Sequence, residues 1–476
     1  MVYEFFGRKV ITSSATEITF ANITSELKKA YNIHIGNAYN ITYLKNYYKG
    51  KQPILERVKT IRPEINNMVV ENHAMEIVDF KTGYLFAEPI QYVKKSELVG
   101  ITEKINELNG HMEFMDKEAL DEELGETMFI TGIGYRLVLP EEGETPFVLE
   151  NLDPRNTFVV YNNGIGKKPL MGVTYIEDEN KNLSFSIYTN NKFFNMGTKA
   201  FAYGDTKISE TSHALGSIPI VEFPANNSRM GAFEPVMPLL DALNTVISNR
   251  LDGIEQFIQS FMKFVNCDID ETLFKEFKLL GGIKINTVDP ARPADIDVIS
   301  TELDQGQTQI TKEDLYETLL IICGMPDRKT TKSGGDTGQA VMLRDGWSSA
   351  ESRAKATEKV FKRSEKKILT IILRLLKETS NFDLSIRDIE IKFTRNKTDN
   401  LLVKAQGLVN LLKAGINPRI AISNVGLFSD PEQVYADSIE YLEKWKVSEE
   451  STNTNDNREV LNTNSKKGEN PINTGE

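Results

Sequence analysis

At Glu234 the apolar spacing changes from every second residue to steps of three and four, and no other feature of the chain limits its fold as much. Val236, Leu240, Leu243, Ile247, Leu251, Ile254, Ile258, Phe261 and Val265 mark one face of a helix predicted over 234–265. Asp241, Asn244, Ser248, Asp252, Glu255, Gln259 and Lys263 fall on the other face. Pro235 and Pro238 stand in its first turn or so, where a missing N–H costs little. Such a helix would run roughly 45 Å, longer than a small domain is wide. It suits either a helical hairpin inside one domain or helices that pack on copies of themselves from neighbouring subunits.

The text on either side is of a different kind. Before it, turn residues punctuate the chain from Met128 onward at hairpin spacing, at Gly132, Gly134, Pro140, Asp153-Pro154, Asn162-Asn163-Gly164 and 178–182. Phe158–Tyr161, Gly172–Ile176, Leu183–Tyr188 and Ile218–Phe223 are the strands between them, and about 100 residues of mainly antiparallel β structure is the economical reading. Helical stretches are expected earlier, over 25–59 and 96–109, followed by the acidic 116–126, in which Asp121-Glu122-Glu123 reads as a solvated helix face. After the long helix comes a compact insert with strands at 283–286 and 295–299, then a helix over 311–323 ending at Gly324-Met325-Pro326. The polar loop 327–337 leads into the longest helical stretch, 338–379, broken only by Gly346. A strand at 389–393, helices at 399–414 and 418–424, and a capped acidic helix over 430–446 complete the ordered part, and 448–476 is expected to be disordered.

Composition narrows the function. Against 56 Lys and Arg stand 68 Asp and Glu among 476 residues, a formal net charge of −12 that excludes a generally basic, tight nucleic-acid binder. Two cysteines, Cys267 and Cys323, make neither a disulfide framework nor a metal-ligand spacing. Glu4 interrupts the opening where a leader's apolar region would build, and Arg374 interrupts the densest apolar run, 368–376, so a cytosolic origin without membrane insertion is expected. Tyr161 stands where a phosphate-binding loop ending at Gly166-Lys167 would need its first glycine. His34, His73, His111 and His213 are scattered and read as ordinary residues. Asp178, Asn180 and Asn182 begin like a calcium loop, but Leu183 and Thr189 occupy its glycine and glutamate positions, so a hairpin turn is the better account. No metal site, cofactor or catalytic group is expected. The loop 327–337 reads as a flexible linker or as a mobile element touching phosphates transiently.

Several blocks, in order, resemble the portal proteins of tailed bacteriophages, in the branch found in phages of Gram-positive hosts. Asn66-Asn67 to Asn72, Ile77-Val78-Asp79, Gly83-Tyr84-Leu85 and Pro89-Ile90 are similar to that family's early block, and Thr131–Tyr135 and Asp153–Tyr161 to its β region. Ile218–Phe223, Asn226-Asn227, Phe233-Glu234 and Leu240–Asn244 resemble the entry to its first stem helix. Cys323–Pro326, Ser333-Gly334, Thr337–Ala340 and Leu343–Trp347 resemble its tunnel loop and long helix, and Ile389–Asn396 the strand before its crown.

The resemblance implies an α+β subunit divided into a wing (1–233), stem helix 1 (234–265), clip (266–308), stem helix 2 (309–325), tunnel loop (326–337), long helix and wing strand (338–395), crown (396–447) and a disordered tail (448–476). It implies a homo-oligomeric ring of about twelve subunits. That ring would occupy the portal vertex of a virion and assemble in the bacterial host cytoplasm, without membrane contact and without enzymatic activity. Double-stranded DNA would pass through it, driven by terminase, and it would meet a head completion or connector protein and the major capsid and scaffolding proteins. Arg328, Lys329, Thr331, Lys332, Ser333, Gly334 and Gly335 would form the loop that meets DNA. The stem would present Asp241, Asn244, Ser248, Asp252, Glu255, Gln259, Lys263, Glu313 and Glu317. The clip would dock partners through Asp268, Asp270, Asp289, Arg292, Asp295 and Asp297. A tail or connector ring without a DNA-guiding loop is the alternative the same residues allow.

Overall fold

The computed structural model describes residues 7–95, 101–199, 201, 206–258, 261–268, 286–293, 295–299, 305–327, 346–380, 382–395, 401–428 and 434–441. Among these the chain is a mixed helix and sheet structure with two main sheets. Helix α1 (Ile23–Tyr48) buries Ile23, Leu27, Ala30, Ile41, Leu44, Tyr47 and Tyr48. At 1.5 Å per residue it is about 39 Å long. Its first turns sit in one apolar core, Ile41 in a second, and its last turn in a third.

The expected single β region is two sheets. β1 (Ile11–Ser13) pairs in parallel with β5 (Thr157–Asn162), and β6 (Pro169–Glu177), β7 (Leu183–Tyr188), β8 (Lys192–Thr198) and β9 (Lys207–Ser212) follow as antiparallel neighbours. In β7, Leu183, Phe185 and Ile187 alternate inward, as a sheet with one solvated face requires. The second sheet has β3 (Ile133–Pro140) between β4 (Phe147–Leu152) and β10 (Ile220–Pro224), with Tyr135 opposite Glu222. The turn 178–182 is a hairpin closed by Asp178, whose Oδ1 accepts from the N–H groups of Asn180 and Asn182. β2 (Gln91–Lys94) pairs with β15 (Ile389–Lys392), joining segments about 300 residues apart.

Helix α4 (Lys117–Thr131) packs on β3 and β4 of the second sheet, α2 (His73–Phe86) packs against α4, α3 (Ile101–Phe114) against β2 and α4, and α7 (Trp347–Ser380) against α2, β3 and β10. Phe86, Phe223 and Phe361 meet there, with Phe361 5.1 Å from Phe86 and 4.8 Å from Phe223 between ring centres. Each such ring contributes roughly 1.5–3 kcal/mol by leaving water. α4 ends at Gly132, whose φ of +87° only glycine adopts cheaply and where a Cβ would stand 2.1 Å from the Arg229 carbonyl.

The same layer holds a charged group with no solvent around it. Arg136 Nη1 lies 2.6 Å from Asp121, Lys117 bridges Asp121 (2.5 Å) and Glu365 (3.1 Å), and the Tyr92 hydroxyl donates to Glu365 at 2.5 Å. Two cations face two carboxylates, and Glu365 Oε2 lies 3.9 Å from Arg136 without a hydrogen bond of its own.

Two expected helices change. The helix over 234–265 is a 3₁₀ turn at Glu234–Val236, then α5 (Met237–Ile258), and Phe261–Val265 is strand β11, paired with β14 (Asp295–Ile299). Phe261, Phe264 and Val265 are strand-favouring residues, and pairing with 295–299 overrides a spacing that also fitted a helix. Gly346 stands before α7 rather than within it, at φ +83°, with its carbonyl accepting from Ser349 and Ala350. The remaining elements are β12 (Cys267–Asp268) with β13 (Asn286–Thr287), α6 (Gln305–Cys323), α8 (Leu401–Lys413), α9 (Pro418–Val425) and a helix at 434–441. The expected strand at 283–285, helix start at 338–345 and tail 448–476 lie outside the described residues.

Candidate functional site

The polar face of α5 is covered by the chain itself. After Pro53–Glu56 the residues up to Asn72 form no helix or strand and lie along α5 as a strap. Asp252 Oδ1 accepts from the Asn67 N–H at 2.7 Å, Ser248 Oγ from the Val69 N–H at 3.0 Å, and Asn244 Oδ1 from the Glu71 N–H at 2.8 Å. The match is geometric. Every second amide of an extended chain recurs after roughly 6.6 Å, and every fourth residue of a helix after about 6.0 Å. Three short acceptors at i, i+4 and i+8 therefore meet three alternate amides running the opposite way.

Further contacts fix the strap at both ends. Asp252 Oδ2 accepts from Lys59 at 2.9 Å and pairs with Arg57 at 3.2 Å, and Asn67 Nδ2 donates to Glu255 at 2.9 Å. Burial works against the Asp252 carboxylate, but the Asn67 amide and Lys59 hold its pKa below the usual range. Asn244 Nδ2 donates to Gln52 at 2.5 Å, and the Tyr47 hydroxyl to Asp241 at 2.8 Å.

α6 packs beside α5 and is held by the next stretch of the chain. Lys312 reaches Glu71 at 2.5 Å, and the Tyr316 hydroxyl donates to Glu76 at 2.8 Å. Its last carbonyls accept from two cations, Lys81 on Cys323 at 2.9 Å and Arg353 on Ile322 at 2.6 Å, which suits the negative end of a helix. Gly324 follows at φ +66°, its Cα facing the Arg353 side chain too closely for a Cβ. Cys323 is buried there, which pushes its thiol up to about 11, so it is no nucleophile near neutral pH. The outer side of α6 exposes Ile310, Glu313, Glu317 and Ile321.

The expected site residues sort accordingly. Asn244, Ser248 and Asp252 are buried under the strap, with an oxygen of each taken by a backbone amide of the chain. Asp241 is half-buried, and Glu255, Glu313 and Glu317 are exposed. Gln259, Asp270 and the loop residues Arg328, Lys329, Thr331, Lys332, Ser333, Gly334 and Gly335 lie outside the described residues. Lys263 stands on β11 opposite Asp297 on β14, and Asp268 on β12. Asp289, Arg292 and Asp295 are exposed. The Asn266 side chain ties their turn together by donating to the carbonyls of Asp289 (2.9 Å) and Arg292 (2.6 Å).

The strap was not legible as a functional element, because backbone amides leave no trace in side-chain periodicity. The available signal was the run of short acceptors Asn244, Ser248 and Asp252. Among the described residues no group of three or more His, Cys, Asp and Glu is disposed to hold a metal ion. No helix among them is long and apolar enough to cross a membrane. His34 is buried against Phe158 with Nε2 2.8 Å from the Arg155 carbonyl, and burial lowers its pKa to about 4.

A family model for the phage portal protein, SPP1 Gp6-like, matches residues 27–455. A portal protein of Bacillus phage SPP1 is 23% identical over 470 residues, covering 90% of this chain and 88% of its own. Two solved chains are similar at lower levels. One, from the neck of an empty gene transfer agent particle, has a TM-score of 0.42 and 12% identity, covering 74% of this chain and 90% of that one. The other, from the virion of a native gene transfer agent particle, has a TM-score of 0.43 and 12% identity, covering 82% and 94%.

Proposed function

The chain belongs to the phage portal protein family, SPP1 Gp6-like, and from that premise we propose that it forms a ring at one vertex of a tailed-phage head through which double-stranded DNA is packaged and later released. The observation that carries this reading is the extent of the family match, 27–455, which takes in the strap, α5, α6, α7 and the loop between the last two. A ring of identical chains closes head to tail through two different faces.

In this reading α5 and α6 form the stem, and the strap makes the pair one stiff unit instead of two helices free to slide. Among the described residues the exposed acids of the pair include Glu255, Glu313, Asp314 and Glu317. An acidic bore suits a conduit, because neutralising 6–10 phosphates with fixed cations would make a salt-dependent clamp in place of a channel. Brief cationic contact falls to Arg328, Lys329 and Lys332 in the loop. Asp289 and Arg292, on the exposed turn between β13 and β14, and Asp295, at the start of β14, belong to the docking surface for terminase during packaging and for a connector protein afterwards. The role is structural, so labelled DNA incubated with Mg²⁺ or Mn²⁺ is expected to remain uncut.

The test is packaging with Arg328, Lys329 and Lys332 all replaced by Ala. The expected result is normal rings, by mass in solution, with impaired packaging or retention of DNA. Unchanged packaging would remove the loop from the mechanism, and a protein that stays monomeric at high concentration would remove the ring.

A further inference from the structure

α7 is a basic helix in an acidic chain. It carries nine Lys and Arg against four Glu. Three of those carboxylates are occupied, Glu365 by buried Lys117, and Glu351 and Glu358 by Arg395. Lys359, Arg363, Lys366 and Lys367 are exposed along one side over about 12 Å of helix. None of these four has an ion pair or side-chain hydrogen bond among the described residues. Arg363 and Lys367 overlook a groove of about 170 Å³ that Lys167 also lines. The carboxylate in that groove, Glu222, already accepts from Arg229 Nε at 2.6 Å and from the Tyr161 hydroxyl at 3.1 Å.

The seam between α2 and α4 has the opposite character. A groove of about 470 Å³ there is lined by Asp79, Glu122, Glu123 and Glu126. None of these carboxylates has an ion pair among the described residues. Asp79 and Glu126 share one donor, the Tyr48 hydroxyl, at 3.2 and 2.8 Å. A single O–H proton serves only one of two acceptors, so one of the two carboxylates takes nothing from that hydroxyl.

We propose that the α7 ridge of one copy docks on the α2–α4 groove of the next. The partner is a second copy because this chain carries both halves, four cations and four carboxylates that make no ion pair among the described residues, on different seams, although Glu123 accepts from Asn151 at 3.0 Å. A heterologous ring contact needs two such unlike faces, and complementary charge fixes which faces meet. This rests on the ring reading above and adds to it where neighbouring subunits touch.

Full-length protein with Arg363→Glu and Lys367→Glu, and separately with Glu122→Lys and Glu123→Lys, tests it by sedimentation. All four side chains are exposed, so circular dichroism and thermal unfolding are expected to match the wild type. Each pair is expected to raise the concentration at which rings form by at least about tenfold, because like charges then face each other. Combining the four changes in one chain is expected to restore assembly. Rings from wild-type protein together with undiminished assembly of either pair, or no recovery in the combined variant, would overturn the proposal while leaving the ring reading intact. Absence of rings from wild-type protein would overturn both. Normal assembly of Arg363→Glu/Lys367→Glu with weakened binding of duplex DNA would overturn it in favour of a nucleic-acid surface on α7.

Discussion

Helices α5 and α7 each carry a polar face along most of their length, and the two faces end differently. On α5, Asn244, Ser248 and Asp252 disappear under the chain's own strap, each on a backbone amide. On α7, Lys359, Arg363, Lys366 and Lys367 stay in solvent. Helical spacing marks both faces as polar, but the type of side chain separates them. Short acceptors keep their oxygens near the helix axis, where an amide can reach them, and lose little rotamer freedom in doing so. Long cations hold their charge away from the helix, hydrated, where only another charged surface reaches it. One face stabilises the subunit, and the other is left for contact between subunits.

The sharpest way to break this contrast is Asp252→Ala. It strands the Asn67 amide and leaves Lys59 and Arg57 without their carboxylate, so a loss of about 3 kcal/mol is expected in urea unfolding, the scale for removing one partner of a buried pair. A loss below about 1 kcal/mol would mean the strap is held elsewhere. Acid should act more gently. The Asp252 pKa is depressed in the folded chain, so its contribution is complete above the unfolded value of about 3.9 and is lost as pH falls through the folded one. Hydrogen-exchange protection at Asn67 is therefore expected to be flat from pH 5 to 8 and to fall below about pH 4. Ser248→Ala removes one neutral acceptor, with an expected cost of about 1 kcal/mol and lost protection at Val69. Lys359→Ala and Lys366→Ala should leave the urea midpoint of the unassembled chain unmoved. A clear shift would show that the ridge has a partner inside its own chain.

How much of this was legible beforehand depended on whether side chains or backbone made the contact. β7 over Leu183–Tyr188 and β14 over Asp295–Ile299 lie where alternation and turns placed them, and the polar residues of α5 do share one face. The covering of that face did not show, because the strap speaks through N–H groups that every residue type supplies. Lys117 and Arg136 were equally hidden, since charged residues read as exposed unless their partners, here Asp121 and Glu365, are known to converge. β1 was too short to register, and β11 was hidden because Phe261 and Val265 continued a helical spacing by coincidence.

In the proposed ring, stems of α5 and α6 line a central hole. Averaged electron-microscope images of the purified protein, viewed down its axis, test this most directly. The expected result is a closed ring with a central hole lined by helices, the straps packed along their own helices and not crossing to a neighbour. A single compact particle without a hole at any concentration would contradict it.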